Sequence, residues 1–342
     1  MQSSLGVRSN SDRFATPGFR RAWPRLEVLA VASGGDGSAC VAHLTFDGPQ
    51  GPAGGAEADA HATPWDTCGV ATPSLSPKPL ALDQLPRETW ARVHGVLTDI
   101  DDTLTRDGVI EPAARAALQR LRAAGLPALA ITGRPMGWSE PFVRDGTLDA
   151  IVAENGAVAL FREGGAVRVE YAQDEATRNA NALRLQQVAA QLQREVPGAT
   201  LSRDSAGRVT DIAVDHGEFA HLEGGAIERV VAIMRAAGMS ATVSSIHVNG
   251  WFGSHTKLSG ARWIVQRLTG RDLEREIGHW IYVGDSTNDQ EMFGHFPLSV
   301  GVANLRRFAA ELLVWPTYIT RSERGVGFAE VAEALLAART HA

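Results

Sequence analysis

Residues 95–105 read GVLTDIDDTLT, a short apolar run with the length of one buried strand, followed by three carboxylates within four residues. Like charges a few ångströms apart repel and raise one another's pKa. A chain that folds around Asp99, Asp101 and Asp102 therefore needs a cation beside them. Mg2+ is the natural choice, because it takes oxygen ligands and sits between one or two carboxylates and a substrate phosphate. The same feature constrains topology, since open parallel sheets gather ligands in the crevice beyond the carboxyl ends of their strands.

The surrounding pattern agrees. Strand 96–99 is followed by a helix that opens at Glu111-Pro112, with Ala114, Ala117, Leu118 and Leu121 on one face and Gly125 as its stop. A strand at 129–131, a helix at 136–144 and a strand at 150–153 come next. The alternation resumes with a helix at 257–268, strand 280–283, a short helix at 288–294, strand 298–302, a further helix, strand 318–320 and a last helix from about 327. Alternating apolar strands and amphipathic helices predict βαβ units on a parallel sheet. The middle differs. Segments 158–161 and 167–171 flank Glu163-Gly164-Gly165 as a hairpin. A polar helix at 175–195, strand 209–214, a helix at 219–237 and strand 241–248 follow, which predicts an inserted α+β module with an antiparallel sheet.

Residues 47–64 contain almost no large apolar side chains, and proline punctuation continues to Pro79 and Pro86. Such a composition cannot bury enough surface to offset its ordering entropy. Residues 1–88 are therefore expected to be a low-complexity, disordered extension with at most a marginal hairpin. Arginines 8, 13, 20, 21 and 25 precede LEVLAVA as in a signal sequence, but Glu27 interrupts the apolar stretch. Cys40 and Cys68 have neither metal-site spacing nor a disulfide framework around them, so a cytoplasmic protein is expected. Of the 342 residues, 44% are hydrophobic and 21% charged, with a formal net charge of −6. That balance offers no basic stripe for nucleic acid, and no apolar run approaches a membrane span. A monomer or homodimer is expected.

Four polar signals stand at strand ends or helix starts. They are Asp99/Asp101, Thr132-Gly133-Arg134, Lys257, and Gly284-Asp285-Ser286-Thr287-Asn288-Asp289. In this order they resemble the haloacid dehalogenase (HAD) superfamily of phosphohydrolases, with its hhhhDxDxT motif, strand-end threonine, lysine and GDxxxD motif. The insertion between Thr132 and Lys257 resembles the type IIB (C2) cap, and Glu154-Asn155-Gly156-Ala157 is similar to that branch. Within it the chain looks most like sucrose-phosphatase and Cof-type sugar phosphatases. The resemblance covers about residues 91–338. It implies an α/β fold, with a Rossmann-like core at 89–160 and 252–342 and a cap at 161–251. It also implies that Asp99 and Asp285 hold Mg2+ by their side chains and Asp101 by its carbonyl, with Asp289 a ligand directly or through water.

Each role has a chemical rationale. An ionised carboxylate such as Asp99 can attack phosphorus and form an acyl-phosphate that is readily hydrolysed. Asp101 would protonate the leaving oxygen and then accept a proton from water. Thr132 and the Gly133 amide would hold the phosphoryl oxygens, and Lys257 would neutralise charge on nucleophile and phosphate. The bland alternatives are a solvated acidic loop, a turn and a surface lysine; the order of the motifs argues against all three. The acidic residue often found just before this lysine is absent from Ser254-His255-Thr256. Asp102 is expected to shape its loop, Thr103 to bond it, and Asn288 to orient the 284–289 loop or only cap the helix that follows; Asn288 and Arg134 are also expected among the substrate-binding residues. In the cap, Ser244–Trp251 mixes hydrogen-bonding groups with an aromatic. His247 and Asn249 could meet sugar hydroxyls or merely alternate along a strand. Asp215 could bind a hydroxyl or end a strand, and Arg134 and Trp138 lie near the cap hinge. The expectation is an Mg2+-dependent phosphatase of a small sugar phosphate or glycosyl phosphate. The alternatives are a phosphomannomutase-like sugar phosphomutase and a non-catalytic sugar-phosphate-binding protein; Asp101 argues against a dehalogenase.

Overall fold

A computed structural model describes residues 78–339 in full and, for 26–33 and 39–46, the backbone alone. The latter are β1 (Leu26–Ser33) and β2 (Ala39–Phe46), an antiparallel pair with Ala30 opposite Ala42. The remainder of the expected extension, up to residue 77, lies outside the described residues. Its end does not. β3 (Leu80–Ala81) and α1 (Arg87–Ala91) belong to the folded core, with Leu82, Leu85 and Trp90 buried. The core thus begins near Leu80 rather than 89. Pro86, which reads as linker punctuation, is the N-cap of α1.

β4 (Gly95–Thr98) is followed by the small hairpin β5 (Thr105–Arg106) and β6 (Val109–Ile110). Its turn residues Asp107 and Gly108 both have positive φ, 50° and 75°, as tight hairpins require. The chain then alternates through α2 (Pro112–Ala123), β7 (Ala128–Ile131), α3 (Met136–Arg144), β8 (Ala150–Ala153), β9 (Val158–Glu163) and β10 (Ala166–Tyr171). The inserted module contains α4 (Glu175–Glu195), β11 (Thr200–Leu201), β12 (Asp211–Asp215), α5 (Gly224–Ala236), β13 (Ser240–Val243) and β14 (His247–Trp251). The core resumes with α6 (Lys257–Thr269), β15 (Trp280–Gly284), α7 (Gln290–His295), β16 (Leu298–Gly301), β17 (Tyr318–Ile319) and α8 (Arg324–Arg339).

The large sheet runs β10-β9-β8-β7-β4-β15-β16-β17-β3. From β8 to β3 its pairings are parallel, with Thr98 opposite Ala130 and Val283 opposite Thr98. β4, β7, β8, β15 and β16 are buried along their whole length, as a sheet covered on both faces demands. One apolar cluster lies under α2 and α8 (Leu118, Leu121, Phe328, Leu335), and a second under α6 and α7 (Ile264, Trp280, Tyr282, Phe296). The inserted module has its own sheet, β11-β12-β14-β13, all antiparallel, and its own apolar centre around Leu192, Val230, Met234 and Val248.

Two expectations need correction. Hairpin β9–β10 is not part of the cap: β9 pairs antiparallel with β8, with Ile151 opposite Leu160. Val158–Phe161 is buried against the core, so the insertion starts near the N-cap of α4, Asp174, rather than at 161. Segment 241–248 is not one strand. The Ser244 hydroxyl accepts from the His247 amide at 3.0 Å and its own amide donates to the His247 carbonyl at 2.9 Å. This reverses the chain between β13 and β14.

Candidate active site

β4 and β15 are neighbours, and the Asp99 amide donates to the Val283 carbonyl at 2.8 Å. That register puts Asp99 and Asp285 side by side at the carboxyl ends of the strands. Lys257, first residue of α6, enters the same place. Its N-cap Thr256 accepts from the Ser259 amide, which fixes where the helix starts. The ammonium donates to Asp99 Oδ1 at 2.9 Å and Asp289 Oδ1 at 2.7 Å. All four side chains are buried.

Burial first, with Asp289 and Asp101 adding, pushes the Asp99 carboxyl up to about 7, although Lys257 pulls it down. Burial alone would lower the Lys257 pKa, but Asp289 and Asp99 outweigh it and hold the ammonium charged. Asp285 stands apart. Burial, then Asp289, Asp99 and Asp102, push its carboxyl well above the ordinary range. Its oxygens meet a Thr103 hydroxyl at 3.4 Å and the Asn304 amide at 3.1 Å, both neutral. Were all three carboxyls ionised, one ammonium would leave two negative charges uncompensated, which is what raises the Asp99 and Asp285 carboxyls. Oxygens of Asp99, Asp285 and Asp289 come within 4.8 Å of one another, the one such group among the described residues. An all-oxygen set with that charge deficit fits a divalent hard cation.

Asp289 is already well supplied with donors. Besides Lys257, Oδ1 accepts the Tyr282 hydroxyl at 2.5 Å; Oδ2 accepts the amides of Asp285 at 2.9 Å and Ser286 at 3.2 Å. Four donors fill the roughly four lone-pair sites of a carboxylate. Asp289 thus anchors Lys257 and shapes the 285–289 loop. Asn288 accepts from the Ser286 hydroxyl at 2.9 Å in that loop.

Thr132 follows β7, next to β4, and its hydroxyl accepts from the Arg134 amide at 3.1 Å. The Gly133 carbonyl is gripped from the cap by Arg208 at 2.9 Å and Asn249 at 3.3 Å. Arg134 is turned toward carboxylates. Its Nε reaches both Asp101 oxygens at 3.0 and 2.9 Å, and its other nitrogens meet Asp204 and Glu218. Asp102, with φ of 53°, is held by Arg324 at 2.8 Å and shapes its loop as expected.

Of the cap residues, Asn249 also donates to Asp211 at 3.0 Å, and the His247 ring nitrogen lies 3.1 Å from Glu218. Both face the core. Asp215 does not: its carboxylate accepts the amides of Gly217, Glu218, Phe219 and Ala220. That turn also explains why α5 starts at Gly224 and not 219. Trp138 packs under the Arg134 guanidinium, 4.9 Å away, and against Phe142. Asp204, Arg208, Asp211, Glu218, Tyr282 and Asn304 carry no motif that marks them in the sequence. Glu154 stands in the ENGA segment, but its partners Val209 and Thr210 are 55 and 56 positions away.

Residues 96–198 match the family model described as haloacid dehalogenase-like hydrolase. Comparison with curated proteins returns no match. Among solved structures, the chain is similar to a Thermoplasma acidophilum protein (TM-score 0.55, 13% identity, 71% of this chain and 98% of that one). It is also similar to the Synechocystis sucrose-phosphatase solved with sucrose and phosphate (TM-score 0.51, 15% identity, 71% and 98%). A third is described as a HAD subclass IIB sugar phosphatase (TM-score 0.50, 16% identity, 72% and 98%). At these identities the likeness is one of fold. Residues 96–198 thus resemble the haloacid dehalogenase-like hydrolases in sequence, and the chain shares the fold of those solved structures. Among the described residues, no helix is long and apolar enough to cross a membrane.

Proposed function

We propose that this protein is an Mg2+-dependent phosphatase that hydrolyses a small sugar phosphate or glycosyl phosphate through an aspartyl-phosphate on Asp99. The observation that carries this reading is the convergence of Asp99, Asp285 and Lys257 beside the Thr132 loop. The sugar-phosphatase neighbours support the substrate class by their fold.

Asp99 and Asp285, with the Asp101 carbonyl that the family resemblance implies, would hold the cation. Asp289 would act at one remove, through Lys257 and the loop. When bound, Mg2+ supplies charge neutralisation at the phosphoryl oxygens and keeps the carboxylates ionised. The residues of the chain supply the rest. Asp99 attacks phosphorus as the bond to the sugar oxygen breaks, and Asp101 gives that oxygen its proton. Asp101 then takes a proton from water as water attacks the aspartyl-phosphate, which releases inorganic phosphate and restores Asp99. Thr132 and the Gly133 amide hold the transferring group, and Lys257 offsets its charge throughout.

A phosphate-release screen over sugar mono- and disaccharide phosphates with Mg2+ tests the reading. Asp99→Asn should lower release by at least about 1,000-fold while the fold persists, because the nucleophile is gone. Near-normal release, with reversion to Asp by deamidation checked by mass spectrometry, would refute the nucleophile assignment.

A further inference from the structure

Arg134 is 3% exposed and spends its donors on three carboxylates from two parts of the molecule. Nε bonds Asp101 in the core. Nη1 bonds Asp204 at 3.2 Å and Glu218 at 3.2 Å, and Nη2 bonds Glu218 at 2.7 Å. Asp204 lies between β11 and β12, and Glu218 between β12 and α5, so both belong to the inserted cap. Burial pushes the Glu218 carboxyl up, but His247 and Arg134 outweigh it and hold it at about 2; Glu218 is therefore ionised at neutral pH. The guanidinium is planar, with its five N–H groups in a fixed fork. Where the cap carboxylates hold two arms of that fork, the direction of the third is set as well. Asp101, Arg134 and Glu218 line one cavity of about 260 Å³ with Phe219, Ser245 and Ile246 of the cap.

We propose that Arg134 is a positioning residue that orients Asp101, and that Glu218 and Asp204 make this orientation depend on the cap being seated. The acid–base group is then in place only when the cap covers the leaving group. This inference rests on the phosphatase reading. A seated cap excludes water in the same movement that completes the constellation.

The experiment compares kcat/KM for p-nitrophenyl phosphate and phenyl phosphate with Mg2+ present. The first leaving group departs without a proton; the second, a phenol with a pKa of about 10 like that of tyrosine, needs one. Arg134→Gln and Glu218→Gln should lower kcat/KM for phenyl phosphate by about 100-fold, the lower range of acid–base contributions, and for p-nitrophenyl phosphate by under about tenfold. Asp204→Asn should move the same ratio in the same direction, and serves if either other variant folds poorly by melting temperature. Equal losses on both esters would overturn the proposal, because a structural or binding role does not distinguish leaving groups. No release from either ester by the wild-type protein would overturn the phosphatase reading instead.

Discussion

His255 shows what burial does to a side chain with no partner to offset it. It is 7% exposed, its ring stacks on Trp251 at 5.6 Å, and Nε2 meets no donor or acceptor among the described residues. Burial brings its pKa from 6.5 down to about 4. Between these values the unfolded chain binds a proton that the folded chain refuses. The His255 contribution to stability is therefore unchanged above pH 6.5 and falls as pH drops toward 4, by up to about 3 kcal/mol. His255→Phe keeps a stacking ring and removes the titration. Urea unfolding at pH 7.5 and pH 5 should show the difference between wild type and variant moving in favour of the variant at the lower pH. A difference that stays constant would refute this account. Nothing in the sequence marks His255 as an unpaired group, whereas the strand-end or helix-start positions of Asp99, Asp101, Thr132, Lys257, Asp285 and Asp289 can be read from it. The legible residues act in short local patterns at strand and helix ends. Arg208, Glu218 and Glu154 owe their roles to partners 55–84 positions away. Tyr282 is hidden in an apolar run because its ring is core and only its hydroxyl reaches Asp289.

The ends of α2, α3, β8 and α4 agree with the periodicity, since each is bounded by a local signal: Pro112, Pro135, the run at 150–153 and the N-cap Asp174. Misplaced elements lack such signals. β9–β10 reads as any hairpin, and its membership in the core sheet is decided by pairing with β8. β13 and β14 read as one strand because Ser244 and Ser245 continue a strand-like pattern while the hydroxyl of Ser244 turns the chain. Between β8 and β9 sits a constraint that joins sequence to site. Gly156 has φ of 108°, and a Cβ there would lie 2.1 Å from the Thr256 carbonyl oxygen. Thr256 caps the helix that starts with Lys257. Gly156→Ala must strain its backbone or push α6 away. It should cost about 3 kcal/mol or more and reduce phosphate release beyond the loss explained by unfolding, as Lys257 shifts from Asp99. Denaturant titration with an assay on the folded fraction would check both; wild-type stability together with wild-type turnover would show that the contact yields freely.

Across residues 78–339 the apolar clusters of core and cap are separate, and what joins the two parts is polar. Arg134 meets Asp204 and Glu218, Arg208 and Asn249 meet the Gly133 carbonyl, and Thr287 donates to the Val243 carbonyl at 2.8 Å. A polar seam between separately packed bodies favours relative motion, as a lid over the proposed phosphoryl-transfer site requires. Glu154 is a further hold of the core on the cap loop before β12, beside Arg134–Asp204 and Arg208–Gly133. Fully buried, it accepts from the amides of Met136 at 3.2 Å, Val209 at 3.1 Å and Thr210 at 2.6 Å, and from the Thr210 hydroxyl at 2.6 Å. Glu154→Ala removes the acceptor of these donors, of which Thr210 is buried, at a cost of about 1–3 kcal/mol there. If the seam opens as a unit, the amides of Val209 and Thr210 should exchange about 30-fold faster, the equivalent of about 2 kcal/mol of opening free energy. The amides of β4 and β15, inside the core clusters, should keep their protection. Hydrogen exchange read by mass spectrometry separates the cases. Acceleration confined to the seam and cap loops marks a hinged lid, whereas an equal rise in β4 and β15 would mean that Glu154 holds the whole fold and that core and cap open together.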